Sequence, residues 1–68
     1  MLKRSVTIAG RHPTSISLEE EFWNELKVIA ERKHLSINQL VTEIDQQKTV
    51  PNLSSAIRIY ILKEIKNL

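Results

Sequence analysis

The sequence predicts a mainly α-helical domain that carries one short β-ribbon and assembles as a twofold dimer. Three observations lead there. Residues 14–18 alternate as a strand does, two amphipathic helical patterns follow closely, and a third is apolar almost all round. One strand cannot form a sheet alone, and domains near this size bury only about 60% of the surface of their unfolded chains. Both facts call for a second copy. It supplies the missing neighbour of the strand and covers the last helix.

The elements follow in chain order. Met1-Leu2-Lys3-Arg4 is basic and no apolar stretch follows it, so it is not read as a secretory leader. Ser5-Val6-Thr7-Ile8-Ala9 alternates, with Val6 and Ile8 on one face. Gly10-Arg11-His12-Pro13 reads as a turn or loop, since Gly permits positive φ and Pro fixes φ. Segments 5–8 and 14–18 are therefore either the two strands of a hairpin, or an arm beside a strand. In Thr14-Ser15-Ile16-Ser17-Leu18 the even positions are apolar or β-branched and the odd ones are small and polar. The acids begin at Glu19, Glu20 and Glu21, where the positive end of a starting helix favours them.

The first helix is expected from about Glu19 to Lys33. Phe22, Leu26, Ile29 and Ala30 form its buried stripe, and Trp23 and Val28 widen it. Ser17 and Glu20 have capping-box spacing, although Ser17 also fits the strand. Lys33-His34-Leu35 is a break, with His34 as a polar helix-ending residue. Ser36 and Gln39 again have capping-box spacing, and Ile37, Leu40, Val41 and Ile44 give the cleanest amphipathic pattern, ending near Gln46 or Gln47. Lys48 to Pro51 is a connector. Asn52 or Ser54 then caps a third helix to about Asn67, in which Ile57, Ile59, Tyr60, Ile61, Leu62 and Ile65 wrap most of the circumference. The chain divides into a basic N-terminal arm, 1–13, a core, 14–47, and a connector with a C-terminal helix that packs on the dimer, 48–68.

Composition narrows the function. The hydrophobic fraction is 41% and the charged fraction 26%, ordinary globular values. Cysteine is absent, which excludes disulfides and thiolate zinc sites and fits a reducing compartment; His12 and His34 are too far apart in sequence to suggest a metal site. No apolar run approaches the roughly 18 residues needed to cross a bilayer. Net charge is only +2, but Lys3, Arg4, Arg11 and His12 precede every acid. That patch is either a solvated basic tail or a surface for an anionic partner. Ser15, Ser17, Glu19 and His12 are close in sequence, yet no nucleophile elbow, phosphate loop or metal motif accompanies them. The chain is therefore not read as an enzyme, and no cofactor is expected.

The order ribbon, helix, break, helix resembles the ribbon-helix-helix family of bacterial and phage DNA-binding proteins. Thr14 to Leu18 match the ribbon, Glu20 to Glu31 the first helix, and His34-Leu35-Ser36-Ile37-Asn38-Gln39-Leu40 the family's Gly-x-Ser-x-Ser-Glu-Leu segment. The flanks Arg4 to His12 and Asn52 to Ala56 look like a short bacterial subfamily with an added C-terminal helix. Two positions depart from the pattern. Glu19 stands where a proline commonly follows the ribbon, and His34 where glycine is common.

The resemblance implies a homodimer whose two chains pair their ribbons antiparallel and insert them into the DNA major groove, about 12 Å wide. Arg11, Ser15 and Ser17 are then the expected base readers, with Pro13 on the same face and Thr14, Ile16 and Leu18 turned to the helices. Residues 5–8 are the alternative reading strand, with Ser5 and Thr7 outward. Ser36, Ile37 and Asn38 would clamp a phosphate with their backbone amides, and Lys3, Arg4 and His12 would add phosphate contacts. The bland alternatives are a solvent face for the serines and a plain N-cap for Ser36. Ile16, Leu18, Phe22, Trp23, Leu26, Leu40, Ile44, Ile57, Tyr60 and Ile61 are expected in the core or dimer interface, rather than Trp23 and Tyr60 stacking on bases. Expected partners are a second copy and double-stranded DNA, with assembly beyond the dimer left open, and no membrane. The expected role is a cytoplasmic repressor or autoregulator, nucleoid-associated when bound. The other reading is an antitoxin whose C-terminal helix holds a toxin.

Overall fold

Two strands precede three helices in the computed structural model, which describes residues 1–9 and 13–67. They are β1 (Leu2–Thr7), β2 (Pro13–Leu18), α1 (Glu20–Arg32), α2 (Ile37–Gln47) and α3 (Leu53–Lys66). The expectations placed on Gly10, Arg11 and His12 lie outside the described residues. Pro13 opens β2 instead of belonging to a loop. That is a tolerated place for proline, whose missing amide costs a strand least at its first residue.

β1 and β2 pair antiparallel with Leu2 opposite Leu18, Arg4 opposite Ile16 and Val6 opposite Thr14. Between them stand the pairs Lys3–Ser17, Ser5–Ser15 and Thr7–Pro13. The hairpin alternative is the one the chain adopts. It corrects the premise that residues 14–18 must borrow a strand from a second copy, because residues 2–7 of the same chain supply it. Extension of β1 back to Leu2 gives it the length to pair along all of β2. The third helix finds part of its cover within the same chain. Ala56, Ile57 and Ile61 are buried within the chain, and only Ile59, Leu62 and Ile65 remain about half exposed.

The helix ends show why the helices stop where they do. Glu19 caps α1 with extended backbone and no side-chain capping bond, and the Ser17–Glu20 box does not form, Ser17 lying in β2. At the other end His34 adopts φ 58, the left-handed region. Its amide donates to Glu31 O (3.1 Å) and that of Leu35 to Ala30 O (2.9 Å), the paired bonds of a Schellman motif. The Ser36–Gln39 capping box of α2 is complete. Asn52, not Ser54, caps α3, its Oδ1 accepting from the Ser55 amide at 3.0 Å.

One apolar core joins the layers. Val6, Ile16 and Leu18 from the ribbon meet Trp23, Leu26 and Ile29 of α1, Leu40, Val41 and Ile44 of α2, and Ile57 and Ile61 of α3. Phe22 and Tyr60 are only partly buried against it. Polar links fasten α3 to α1. Arg58 pairs with Glu19 through Nη2 (2.9 Å) and lies 5.8 Å from the Phe22 ring centroid. Lys33 pairs with Glu64 (2.9 Å), which also accepts a hydrogen bond from the Tyr60 hydroxyl (2.9 Å).

Replacing His34 with glycine relieves the side-chain penalty of the left-handed region, worth about 1 kcal/mol. His34→Gly is expected to raise the melting temperature by roughly 4–8 °C for a chain of this size. An unchanged or lower midpoint would show that the histidine side chain is itself stabilising.

Lys33 first, and then Tyr60, hold the Glu64 carboxyl below its ordinary value. A depressed carboxyl stabilises the fold above its unfolded pKa and loses that contribution as pH falls through the folded value. The Glu64 side chain is 26% exposed and that of Lys33 44%, so solvent screens the pair. Glu64→Gln should therefore cost less than about 1 kcal/mol near neutral pH. Denaturant titrations should show this cost shrinking as pH drops below 4.5, the ordinary carboxyl value.

Candidate nucleic-acid interface

The ribbon has one buried face and one polar face. Directly opposed residues share a side of a sheet, so Val6, Ile16 and Leu18 place Leu2, Arg4 and Thr14 on the inner side with them. The outer side then carries Lys3, Ser5 and Thr7 from β1 and Pro13, Ser15 and Ser17 from β2. It holds one cation, four hydroxyl groups and no acid. The two alternative reading strands of the sequence analysis are thus neighbours on a single surface.

The strand edges differ. The amides of Thr7 and Ala9 donate to Asn38 Oδ1 and Thr42 Oγ1 of α2, both at 3.2 Å. Thr42 in turn donates to the Asn38 carbonyl at 2.7 Å. The far edge of β1 is therefore occupied at its C-terminal end. Pro13, opposite Thr7, has no amide, so that pair exchanges no ladder bonds. By alternation Ser5–Ser15 and Lys3–Ser17 are also non-hydrogen-bonded pairs. The backbone groups of Ser15 and Ser17 consequently face away from β1, toward an edge that no described strand covers.

The start of α2 supplies a second polar feature. Ser36 Oγ accepts from the Gln39 amide (3.0 Å), while the Ser36 amide donates to Gln39 Oε1 (2.8 Å). This corrects the expected clamp, because the Ser36 amide is already used. The amides of Ile37 and Asn38 remain without an acceptor among the described residues. They border a groove of about 310 Å³ that is also lined by Arg4, Ser5, Trp23, Asn24 and Lys27. Two cations thus sit beside a helix N-terminus, an arrangement suited to a phosphate.

Arg4 is separated from Lys3 by the pleat. Its guanidinium lies 5.4 Å from the centroid of the Trp23 ring, and Trp23 is buried while its Nε1–H donates to the Leu2 carbonyl at 2.9 Å. Trp23 therefore braces the ribbon from below. Arg11 and His12 lie outside the described residues. Of the expected core set, Ile16, Leu18, Trp23, Leu26, Leu40, Ile44, Ile57 and Ile61 are buried, and Phe22 and Tyr60 are partly so.

Sequence reasoning missed Lys27, Thr42 and the bridging role of the Asn38 side chain. A signal existed for Lys27, which follows buried Trp23 by four positions and so shares its side of α1. Nothing local marked Asn38 or Thr42, whose partners lie 31 and 33 positions away. Among the described residues no group of three or more His, Cys, Asp or Glu could hold a metal ion, and no helix is long and apolar enough to cross a membrane.

No curated protein and no solved structure matches the chain. The family model for the ribbon-helix-helix domain, however, matches residues 1–65, nearly all of it. That match takes in the two-stranded ribbon, α1, α2 and all of α3 but its last residue. The chain therefore belongs to the ribbon-helix-helix domain family, whose members are in general DNA-binding regulators or antitoxins.

Proposed function

We propose that the protein is a homodimeric, sequence-specific DNA-binding transcriptional regulator, acting in the bacterial cytoplasm as a repressor or autoregulator. The observation that carries this reading is the outer face of the ribbon. Ser5, Thr7, Ser15 and Ser17 line it with hydroxyls that both donate and accept, Lys3 adds a cation, and the buried face behind it holds it rigid. Such hydroxyls read base edges in a major groove that admits a two-stranded ribbon. The α2 start, with Ile37, Asn38, Arg4 and Lys27, anchors a phosphate and fixes the register of the ribbon without reading sequence. Arg11, between the strands in sequence, adds a guanine reader. A second copy supplies the twofold symmetry that a palindromic site requires.

One feature favours a second reading. Ile59, Leu62 and Ile65 leave an apolar stripe on α3, 40–52% exposed, of the kind that holds a protein partner. In an antitoxin that stripe would engage a toxin. Stable co-purification with the product of an adjacent gene, lost on Leu62→Glu, would support it.

The leading reading is tested by titrating the protein against its own promoter region and against sites selected from random DNA. Two chains should bind each site, with affinity falling steeply as salt rises. Ser15→Ala combined with Ser17→Ala should reduce the preference for the selected site over unrelated DNA by roughly tenfold, the scale of about 1–3 kcal/mol for lost base contacts. Unaltered preference in that variant would remove the ribbon from the reading role.

A further inference from the structure

We propose that the seam between α2 and α3 binds a small organic monoanion, an aromatic or branched aliphatic carboxylate, whose apolar body enters the cavity beside Tyr60 and whose acid group meets Lys63. The site shares no residue with the outer face of the ribbon or with the groove at the start of α2. It stands whether or not the DNA-binding reading does.

The cavity sets the size of the ligand. It measures about 180 Å³. An apolar cavity of about 150 Å³ takes up one benzene molecule, so a single ring or a branched chain of similar bulk fits. Ile44, Val50, Ala56, Ile59 and Tyr60 supply its apolar walls. Those walls are in place before any ligand arrives. Ile44 and Ala56 belong to the core. Pro51 restricts the backbone of Val50 in the connector. The Tyr60 hydroxyl donates to Glu64 at 2.9 Å, and Lys33 Nζ stands 5.6 Å from the centroid of its ring. Neither Glu64 nor Lys33 borders the cavity, so the phenol is engaged elsewhere and the ring serves as a fixed wall. Among the half-exposed residues on the outward side of α3, Ile59 borders the cavity while Leu62 and Ile65 do not. A ligand body seated here would cover Ile59 and leave the other two as they are.

Charge sets the sign. The charged residues lining the cavity are Lys48 and Lys63. Lys48 is already engaged. It stands at the C-cap of α2, where a cation suits the negative end of the helix, and its Nζ donates to Asp45 Oδ1 at 2.6 Å. Lys63 has no ion-pair or hydrogen-bond partner among the described residues. One uncompensated cation beside an apolar hollow matches one negative charge on an apolar body. The negative end of α2 disfavours an acid group near Gln47 and directs it toward Lys63 on α3.

The test follows backbone amide signals of the full-length protein by nuclear magnetic resonance. The probes are phenylacetate and its neutral isostere phenylacetamide. Phenylacetate should shift the amides of Val50, Tyr60 and Lys63 and saturate in the millimolar range, the scale for about ten non-hydrogen atoms. Phenylacetamide should bind roughly fivefold more weakly, the upper scale for an exposed ion pair. Lys63→Gln should weaken phenylacetate by the same factor, leave phenylacetamide unchanged and so abolish the preference for the acid. Thr49→Trp, at an exposed position on the rim, should exclude both probes. Leu62→Gln should alter neither affinity, and a loss there would place the probe on the outward stripe and overturn the site. Equal affinity for acid and amide, a preference that survives Lys63→Gln, or shifts that never saturate and scatter over other lysines would overturn it too. So would the absence of any shift, the result expected if a second copy fills the cavity.

Discussion

The in-register pairing of β1 with β2 is the constraint on which the rest of the molecule depends. Alternation has period two, so a slip of one residue in either strand would carry its whole buried set to the other side. Val6, Ile16 and Leu18 are almost completely buried. Turning them out would expose apolar surface worth about 1.5–3 kcal/mol for each large side chain. The core therefore chooses the polar face. Ser5, Ser15 and Ser17 point outward because the residues beside them cannot.

The helices play unequal parts around that ribbon. α1 braces the start of β1, with Trp23 reaching the Leu2 carbonyl and carrying the Arg4 guanidinium. α2 grips the end of β1 through Asn38 and Thr42. α3 packs on α1, α2 and β2 with Ile57 and Ile61 fully buried, and two partly exposed ion pairs, Arg58–Glu19 and Lys33–Glu64, tie it to α1. Stability is therefore shared by all the elements around one core, while Ile59, Leu62 and Ile65 on the outward side of α3 stay about half exposed.

Much of this was legible in the sequence, because local rules govern most of the elements. The alternation of residues 14–18, the Ser36–Gln39 box and the stripe of α2 each specify their structure within a few positions. So does the break at His34, although the residue there is not glycine. What was not legible is long-range. Residues 5–8 announced a strand, but nothing nearby said whether it pairs within the chain, and the apolar girth of α3 suggested a partner that the core partly replaces. Lys3 and Arg4 looked equivalent as neighbours in a basic run. Pairing gave them opposite sides, and the ring of Trp23 took Arg4.

Asn38 and Thr42 set the offset between the ribbon and the start of α2, and they do so from exposed positions on a helix whose packing is handled by other residues. An exchange at either position would slide one contact region against the other while Leu40, Val41 and Ile44 kept the interior as it is. Under the proposed function, the spacing between reader and anchor is thereby adjustable separately from the residues that keep the chain folded.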